Sequence, residues 1–219
     1  MSKINIAIDG PAGAGKSTIA KLLAKELSYT YIDTGAMYRA LTYLLIKKDL
    51  PLTDENLVLE TLRNDYDFSF EGEKIILNGE DITNLIRSNE INANVSTIVA
   101  YKKMRELMVE KQRELSNKKG VVMDGRDIGS VVLKDAELKI FLVASLEERA
   151  RRRFLENKEK GIETTYEEVE ENLKKRDYID TYVSKALVKT KDAIEVDTTN
   201  MSIKEVVARI KDLATTRNR

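Results

Sequence analysis

One short stretch near the start of the chain constrains it more than any other. Ile4-Asn5-Ile6-Ala7-Ile8 is a β-branched run that stops at Asp9-Gly10, and Gly10-Pro11-Ala12-Gly13-Ala14-Gly15-Lys16-Ser17 follows without a break. The run reads as a buried strand. The segment after it has the form G-x-x-x-x-G-K-[ST]. Ile19, Leu22, Leu23 and Leu27 then recur at helical spacing, with Lys21, Lys25 and Glu26 on the other face. A strand, a glycine turn and a helix start in that order make an anion cradle. The glycines let backbone N–H groups turn toward one point, and the helix adds unpaired amides and the positive end of its dipole. Lys16 is spaced to reach the β- and γ-phosphates of a nucleotide, the Ser17 hydroxyl to ligate Mg2+, and Thr18 stands beside them on the first turn. A chance glycine turn is the bland alternative, and the matching strand and helix on either side weigh against it. The loop specifies the ligand but not the reaction.

The rest of the chain alternates strands with helices, which predicts an α/β domain with a central parallel sheet flanked by helices. Short strands are expected at 29–32, 121–123, 138–143 and 193–196. Helices are expected from Gly35 to Lys48, from a cap at Thr53 or Asp54 to Arg63, and between Glu90 and Ser116. Ser145-x-x-Glu148, Thr165-x-x-Glu168 and Ser202-x-x-Glu205 are capping boxes. Near residues 65–85 the period changes. Tyr66, Phe68 and Phe70 alternate with polar residues, Glu71-Gly72-Glu73 joins them to a second strand at 74–77, and Asn78-Gly79 marks a tight turn. This β patch reads as an insertion, and its aromatic stripe as core packing rather than a stacking platform.

Composition removes many chemistries. The chain of 219 residues has no His and no Cys, so imidazole bases, thiolate nucleophiles, disulfides and thiolate zinc sites are excluded. What remains is carboxylates, cations, hydroxyls, backbone amides and a hard metal. Its 37 acidic and 37 basic residues cancel, which argues against wholesale binding to nucleic acid or acidic membranes, though local clusters survive inside a balanced sum. No apolar run approaches the ~18 residues of a membrane span, and Met1-Ser2-Lys3-Ile4 enters the first strand with no signal-peptide core. A cytoplasmic location is expected.

Two further motifs narrow the reaction. No Asn/Thr-Lys-x-Asp guanine-reading sequence is present, which disfavours a GTPase. Asp33-Thr34-Gly35-Ala36-Met37-Tyr38-Arg39 follows the second strand, with Arg39 one turn beyond Gly35, where a guanidinium can fork onto a second phosphate. Asp124-Gly125-Arg126-Asp127 follows a buried strand. Ligands of open parallel sheets gather at the carboxyl ends of strands, so Arg126 and Asp127 are expected at the same crevice. Ordinary surface ion pairing, worth ~0–1 kcal/mol, is the alternative for such arginines.

With the loop, D-T-G-A-M-Y-R, L-N-G-E-D-I-T-x-x-I-R at 77–87, D-G-R-D-I-G at 124–129, E-E-R-A-x-R-R at 147–153 and D-T-T at 197–199, the sequence resembles the bacterial cytidylate (CMP) kinases, nearly end to end. The resemblance implies a P-loop kinase fold with a small β-containing substrate-binding insertion and a helical lid. It places the core at 1–33, 100–148 and 171–219, the monophosphate-binding region at 34–99 and the lid at 149–170. It implies that Arg39 and Arg126 hold the CMP phosphate, that Ser96 and Arg105 read the cytosine edge with Asp127 at the exocyclic amine, and that Arg176 and Asp180 serve the acceptor, the Asp on its ribose. Thr34 and Tyr38 line the substrate crevice. Arg149 and Arg153, i and i+4 on a charged helix, face ATP, one over the adenine and one toward the transferring phosphate. A solvated helix face is the alternative for them, and Arg151 and Arg152 read as surface.

One departure stands out. The family's further Arg three residues beyond the second Asp is Val183 here, so that cation is missing or supplied by Lys185, which brings charge without the planar fork. The expected reaction is transfer of the ATP γ-phosphoryl group to CMP or dCMP with Mg2+, with Lys16, Arg126 and Arg153 on the transferring group. Positioning and charge neutralisation carry such a step, and a phosphate acceptor needs no strong base. Expected partners are these small nucleotides, with no nucleic acid and no membrane, and the chain is expected to be a monomer. The rival readings are a kinase for another small acceptor, such as shikimate or another monophosphate, and a nucleotide-dependent RNA-binding switch.

Overall fold

The apolar run before the glycine loop becomes the middle strand of a sheet. The computed structural model describes residues 3–72, 74–159 and 161–217, and of Asn89 the backbone alone. Met1 and Ser2 of the entry strand, Glu73 of the β turn and Lys160 of the charged helix end lie outside the described residues. β1 (Asn5–Asp9) is buried along its whole length, as befits a parallel strand covered on both faces. It pairs in parallel with β6 (Val121–Asp124) on one side and β7 (Leu138–Val143) on the other, and β8 (Ile194–Asp197) adds to β7. With β2 (Thr30–Asp33) beside β6, the order is β2-β6-β1-β7-β8. Both the Gly10 loop and the Asp124 turn therefore leave the carboxyl ends of adjacent strands, as the sequence motifs require.

Contacts divide the chain into two compact units, Met1–Tyr31 with Lys118–Arg219, and Ile32–Asn117. In the first, α1 (Lys16–Leu27) buries Ile19, Ala20, Leu23 and Ala24 against Ile6, Ile8, Ile140 and Leu142, and α8 (Ile203–Arg217) adds Val206, Val207 and Ile210. Leu22, grouped by spacing with the apolar face, stands 39% exposed because the core arc is filled by its neighbours. α6 (Leu146–Glu159) and α7 (Tyr166–Tyr178) pack through Ala150, Phe154, Val169 and Leu173, and this small core reaches Ala12 of the glycine loop. A π-helical turn, Ile179–Val183, follows α7.

Two of the three capping boxes close as read, and the third closes by half, because the Ser145 N–H donates to Thr199 and the Glu148 carboxylate pairs with Arg151 and Arg152. Thr165 and Glu168 exchange both bonds of a capping box, as do Ser202 and Glu205, while the Ser145 hydroxyl accepts from the Glu148 N–H. Thr165→Ala leaves the Glu168 N–H in the first turn of α7 without its acceptor. It is expected to lower stability by ~1 kcal/mol, read as a fall of roughly 2–4 °C in the thermal midpoint.

The second unit holds α2 (Thr34–Lys47), capped by Asp33, and α3 (Glu55–Asn64), capped by Asp54 rather than Thr53. The β patch is antiparallel: β3 (Phe68–Glu71), β4 (Lys74–Leu77) and β5 (Glu80–Asp81). β3 starts two residues later than the alternation suggests. The Tyr66 ring is buried, stacks on Phe68 at 5.4 Å and donates its hydroxyl to Met37 O at 2.9 Å, and the Asp67 N–H goes to the Asn78 side chain instead of a ladder. Tyr66 is thus core packing, with Phe68 and Phe70 half-buried beside it. β5 is too short for periodicity to reveal; only the Asn78-Gly79 turn, with both φ positive, marks it. A 3-10 turn (Leu85–Arg87) leads into α4 (Asn89–Val99) and α5 (Lys102–Ser116). α5 packs on α3 and α4 and so groups with this unit, whereas the sequence boundary at residue 100 assigns it to the core. Among the described residues no helix is long and apolar enough to cross a membrane.

Candidate active site

Local backbone geometry sets the loop. Gly10 has φ +146°, and a Cβ there would lie 2.1 Å from the Leu142 carbonyl oxygen, so only glycine fits beside β7. Lys16, the first residue of α1, is 6% exposed and curls its Nζ back to donate to Pro11 O at 2.7 Å. Ser17 and Thr18 face outward on the same turn. Ser17 Oγ donates to Asp124 Oδ2 at 2.9 Å, and Asp124 Oδ1 accepts from the Tyr31 hydroxyl at 2.8 Å. A hydroxyl beside a carboxylate is a hard-oxygen pair of the kind Mg2+ prefers. Among the described residues there is no cluster of three or more acidic, His or Cys side chains able to hold a metal alone. Such a donor set suits an ion that arrives with phosphate oxygens and water.

Three cations converge at the mouth of this loop. The Lys16 ammonium is pushed well below the usual lysine range, first by burial and then by Arg126, with Arg176 adding, while Asp124 and Asp9 oppose. Arg126 donates from Nε to Asp180 Oδ2 at 2.7 Å, tying the turn after β6 to the π-helical turn after α7. Lys16, Arg126, Arg176 and Asp180, proposed from distant parts of the sequence, are therefore brought together in the first unit. Asp127 lies on the same turn as Arg126 and raises the neighbouring Asp9 carboxyl. A buried lysine hemmed by arginines is a site short of negative charge, and a polyphosphate supplies it.

The arginines of α6 divide differently from their i, i+4 spacing. Arg149 is buried: Nη1 donates to Ala12 O at 3.0 Å and pairs with Asp177 at 2.7 Å, while Nε donates to Ala144 O. Its guanidinium holds the loop backbone against α7. Arg153 forms an exposed local pair with Glu156 and is not brought to Lys16 in this structure. Arg151 is exposed, as read. Arg152 is not simply surface, since it donates to Thr198 Oγ1 and O as well as to Glu148.

In the second unit, Asp33 organises the cations. Its Oδ1 caps α2 at Ala36 N, and its Oδ2 pairs with Arg39 at 3.1 Å and with Arg87 at 3.8 Å. The Arg39 Nε is buried without a hydrogen-bond partner, a donor held ready for an anion. Thr34 is buried at the first turn of α2 and Tyr38 half-buried one turn on. Ser96 is exposed on α4, which packs against α2, and Arg105 is half-buried on the first turn of α5. Val183 is 66% exposed and Lys185 is exposed just beyond it.

Sequence reasoning passed over four of these residues. Asp124 carried a signal, an apolar run ending in Asp beside a phosphate loop. Arg87 sat inside a quoted motif without a role. Asp9, ahead of Gly10, and Asp177, beside Arg176, likewise sat in such segments without a role, because their partners lie far along the chain.

A family model described as cytidylate kinase matches residues 6–216. The cytidylate kinases of Geobacillus sp. (strain WCH70) and Bacillus subtilis (strain 168) are 51% and 48% identical over 220 and 221 residues. Each match covers 99% of this chain, and 98% and 99% of the relative. Among solved structures, shikimate kinase from Acinetobacter baumannii in complex with shikimate is similar with a TM-score of 0.50 at 16% identity, over 98% of this chain and 94% of that one. That likeness bears on the fold alone.

Proposed function

The chain belongs to the cytidylate kinase family, and on that premise we propose that it transfers the γ-phosphoryl group of ATP to CMP or dCMP, giving ADP and CDP or dCDP. The observation that carries this is Lys16, buried at the start of α1 with its ammonium turned onto the glycine loop, under the charge of Arg126 and Arg176. Positive charge set on that loop suits a transferring phosphoryl group, whose charge spreads over its equatorial oxygens.

The roles follow from reach and charge. The amides of Gly10, Pro11's neighbour Ala12, Gly13, Ala14 and Gly15 cradle the donor phosphates, with Lys16, Ser17 and Thr18 at the helix start and Arg149 bracing the loop. Ser17, its hydroxyl held by Asp124, would hold Mg2+, which would supply positive charge against the donor phosphates. Lys16 and Arg126 stabilise the moving group, and Arg153 joins them when the helical lid at 149–170 closes. For the acceptor, the family resemblance assigns Arg126, Asp127, Arg176 and Asp180, and it assigns Thr34, Tyr38, Arg39, Ser96 and Arg105 to the phosphate end and the cytosine edge. Carboxylate and hydroxyl acceptors suit the N4 amine, and an arginine donates to O2 and N3.

Acceptor choice is the test. The purified chain with ATP and Mg2+ is given CMP, dCMP, UMP, AMP or shikimate in turn, and ADP release is followed. CMP and dCMP are expected to be turned over best; release of ADP with shikimate or AMP but with neither cytidine nucleotide would overturn the reading.

A further inference from the structure

Asp9 takes no part in the roles assigned above, yet it is a buried charge beside the phosphate loop. It is the last residue of β1, immediately before Gly10, and is 5% exposed. Each of its oxygens accepts one backbone N–H from the turn after β6: Oδ1 from Ile128 and Oδ2 from Gly129, both at 2.8 Å. That turn begins with Arg126 and Asp127 and continues as a π-helical turn, Ile128–Val132. The fit is close. A Cβ on Gly129 would stand 3.3 Å from Asp9 Oδ2 and 3.2 Å from Lys139 Cδ.

The charged groups around Asp9 come from three elements. Asp127 faces it from the turn and Lys16 from α1. Lys139 on β7 lies against Gly129, with its ammonium paired to Asp192 at 2.7 Å. Burial pushes the Asp9 carboxyl up to about 6, against the two amides and Lys16, with Asp127 adding to the rise. A raised carboxyl favours the protonated fold, so its contribution to stability is full below the ordinary value of 3.8 and is lost as pH rises through about 6. At neutral pH the fold keeps a carboxylate that lowers its stability, which is a frequent property of positions held for function.

We propose that ionised Asp9 is a positioning residue for the acceptor end of the site: its two oxygens hold the amides of Ile128 and Gly129 and so fix Arg126 and Asp127 relative to the phosphate loop that starts at the next residue. The inference rests on reading Arg126 and Asp127 as acceptor-binding. The two amides pull the carboxyl down while burial pushes it up, and protonation leaves one of its oxygens a poorer acceptor. Acid therefore favours a local release of the acceptor turn with Asp9 still buried, although it does not favour unfolding.

Asp9→Asn is the test, with Gly129→Ala as a second variant that crowds the same carboxylate and keeps its charge. NMR hydrogen exchange on the full chain reads the protection of the Ile128 and Gly129 amides on either side of about pH 6. KM for CMP and for ATP is measured only at neutral pH, because a monophosphate itself titrates near about 6. In the unsubstituted chain, protection of these two amides is expected to fall roughly tenfold on acidification, and in Asp9→Asn to be low and flat with pH. KM for CMP is expected to rise roughly tenfold in both variants, with KM for ATP unmoved. Protection that Asp9→Asn leaves intact overturns the proposal, as does a rise in KM for ATP in place of CMP. An unsubstituted chain that turns over no CMP overturns the acceptor reading instead, and the exchange data then judge the hold of Asp9 by themselves.

Discussion

Lys16→Met is expected to lose roughly a hundred- to a thousandfold in kcat with CMP and ATP, while its thermal midpoint holds or rises. The two halves of this result have different causes. The rate falls because the ammonium is the one buried cation on the loop itself, set to meet charge on the transferring group. The fold does not suffer, because that ammonium is buried beside Arg126 and Arg176 and is pushed toward its neutral form. Methionine fills a similar volume without the charge, and replacing buried ions by apolar groups of like size is often neutral or stabilising. Steady-state kinetics and thermal melting on the same preparation separate the halves. A melting point several degrees lower with kcat retained would mean that Lys16 serves the loop through Pro11 O alone.

Arg126→Ala is expected to cut kcat/KM for CMP by roughly a hundred- to a thousandfold, the equivalent of about 3–4 kcal/mol, with ATP affinity unchanged by titration. Two losses combine. The guanidinium leaves the acceptor phosphate, and Asp180 loses the partner it holds at 2.7 Å. Arg126→Lys is expected to recover little of the rate, since an ammonium cannot reproduce the planar fork that spans phosphate and carboxylate. Equal loss of CMP turnover and ATP binding would place Arg126 on the donor instead.

How far the site was legible depended on how local its geometry is. The phosphate loop was readable whole, because the turn at Gly10, the helix start at Lys16 and the Ser17 hydroxyl are determined within eight residues. The caps at Ser145, Thr165 and Ser202 were readable for the same reason, each joining groups three residues apart. Arg149 shows the limit. Its i, i+4 relation to Arg153 put both on one helix face, but what decides its role is the Ala12 carbonyl, 137 residues away in sequence. That contact buries one arginine and leaves the other to Glu156. Arg126 and Asp180 are 54 residues apart, and each was found through its own motif rather than through their pairing. Asp9 was legible as the end of the first strand but not its role, since no pattern around it announces amides some 120 residues on. Likewise β5, of two residues, is held by its turn and its partner strand, and neither leaves a periodic trace.

The central chemical claim is that this fold moves a phosphoryl group from ATP onto a cytidine monophosphate. A single-turnover reaction of the purified chain with CMP, Mg2+ and ATP labelled in its γ-phosphoryl group tests it most directly. The label is expected in the β-phosphoryl group of CDP, at a rate that Lys16→Met lowers roughly a hundred- to a thousandfold. Label released as inorganic phosphate, or left in ATP while CMP stays intact, would contradict the account.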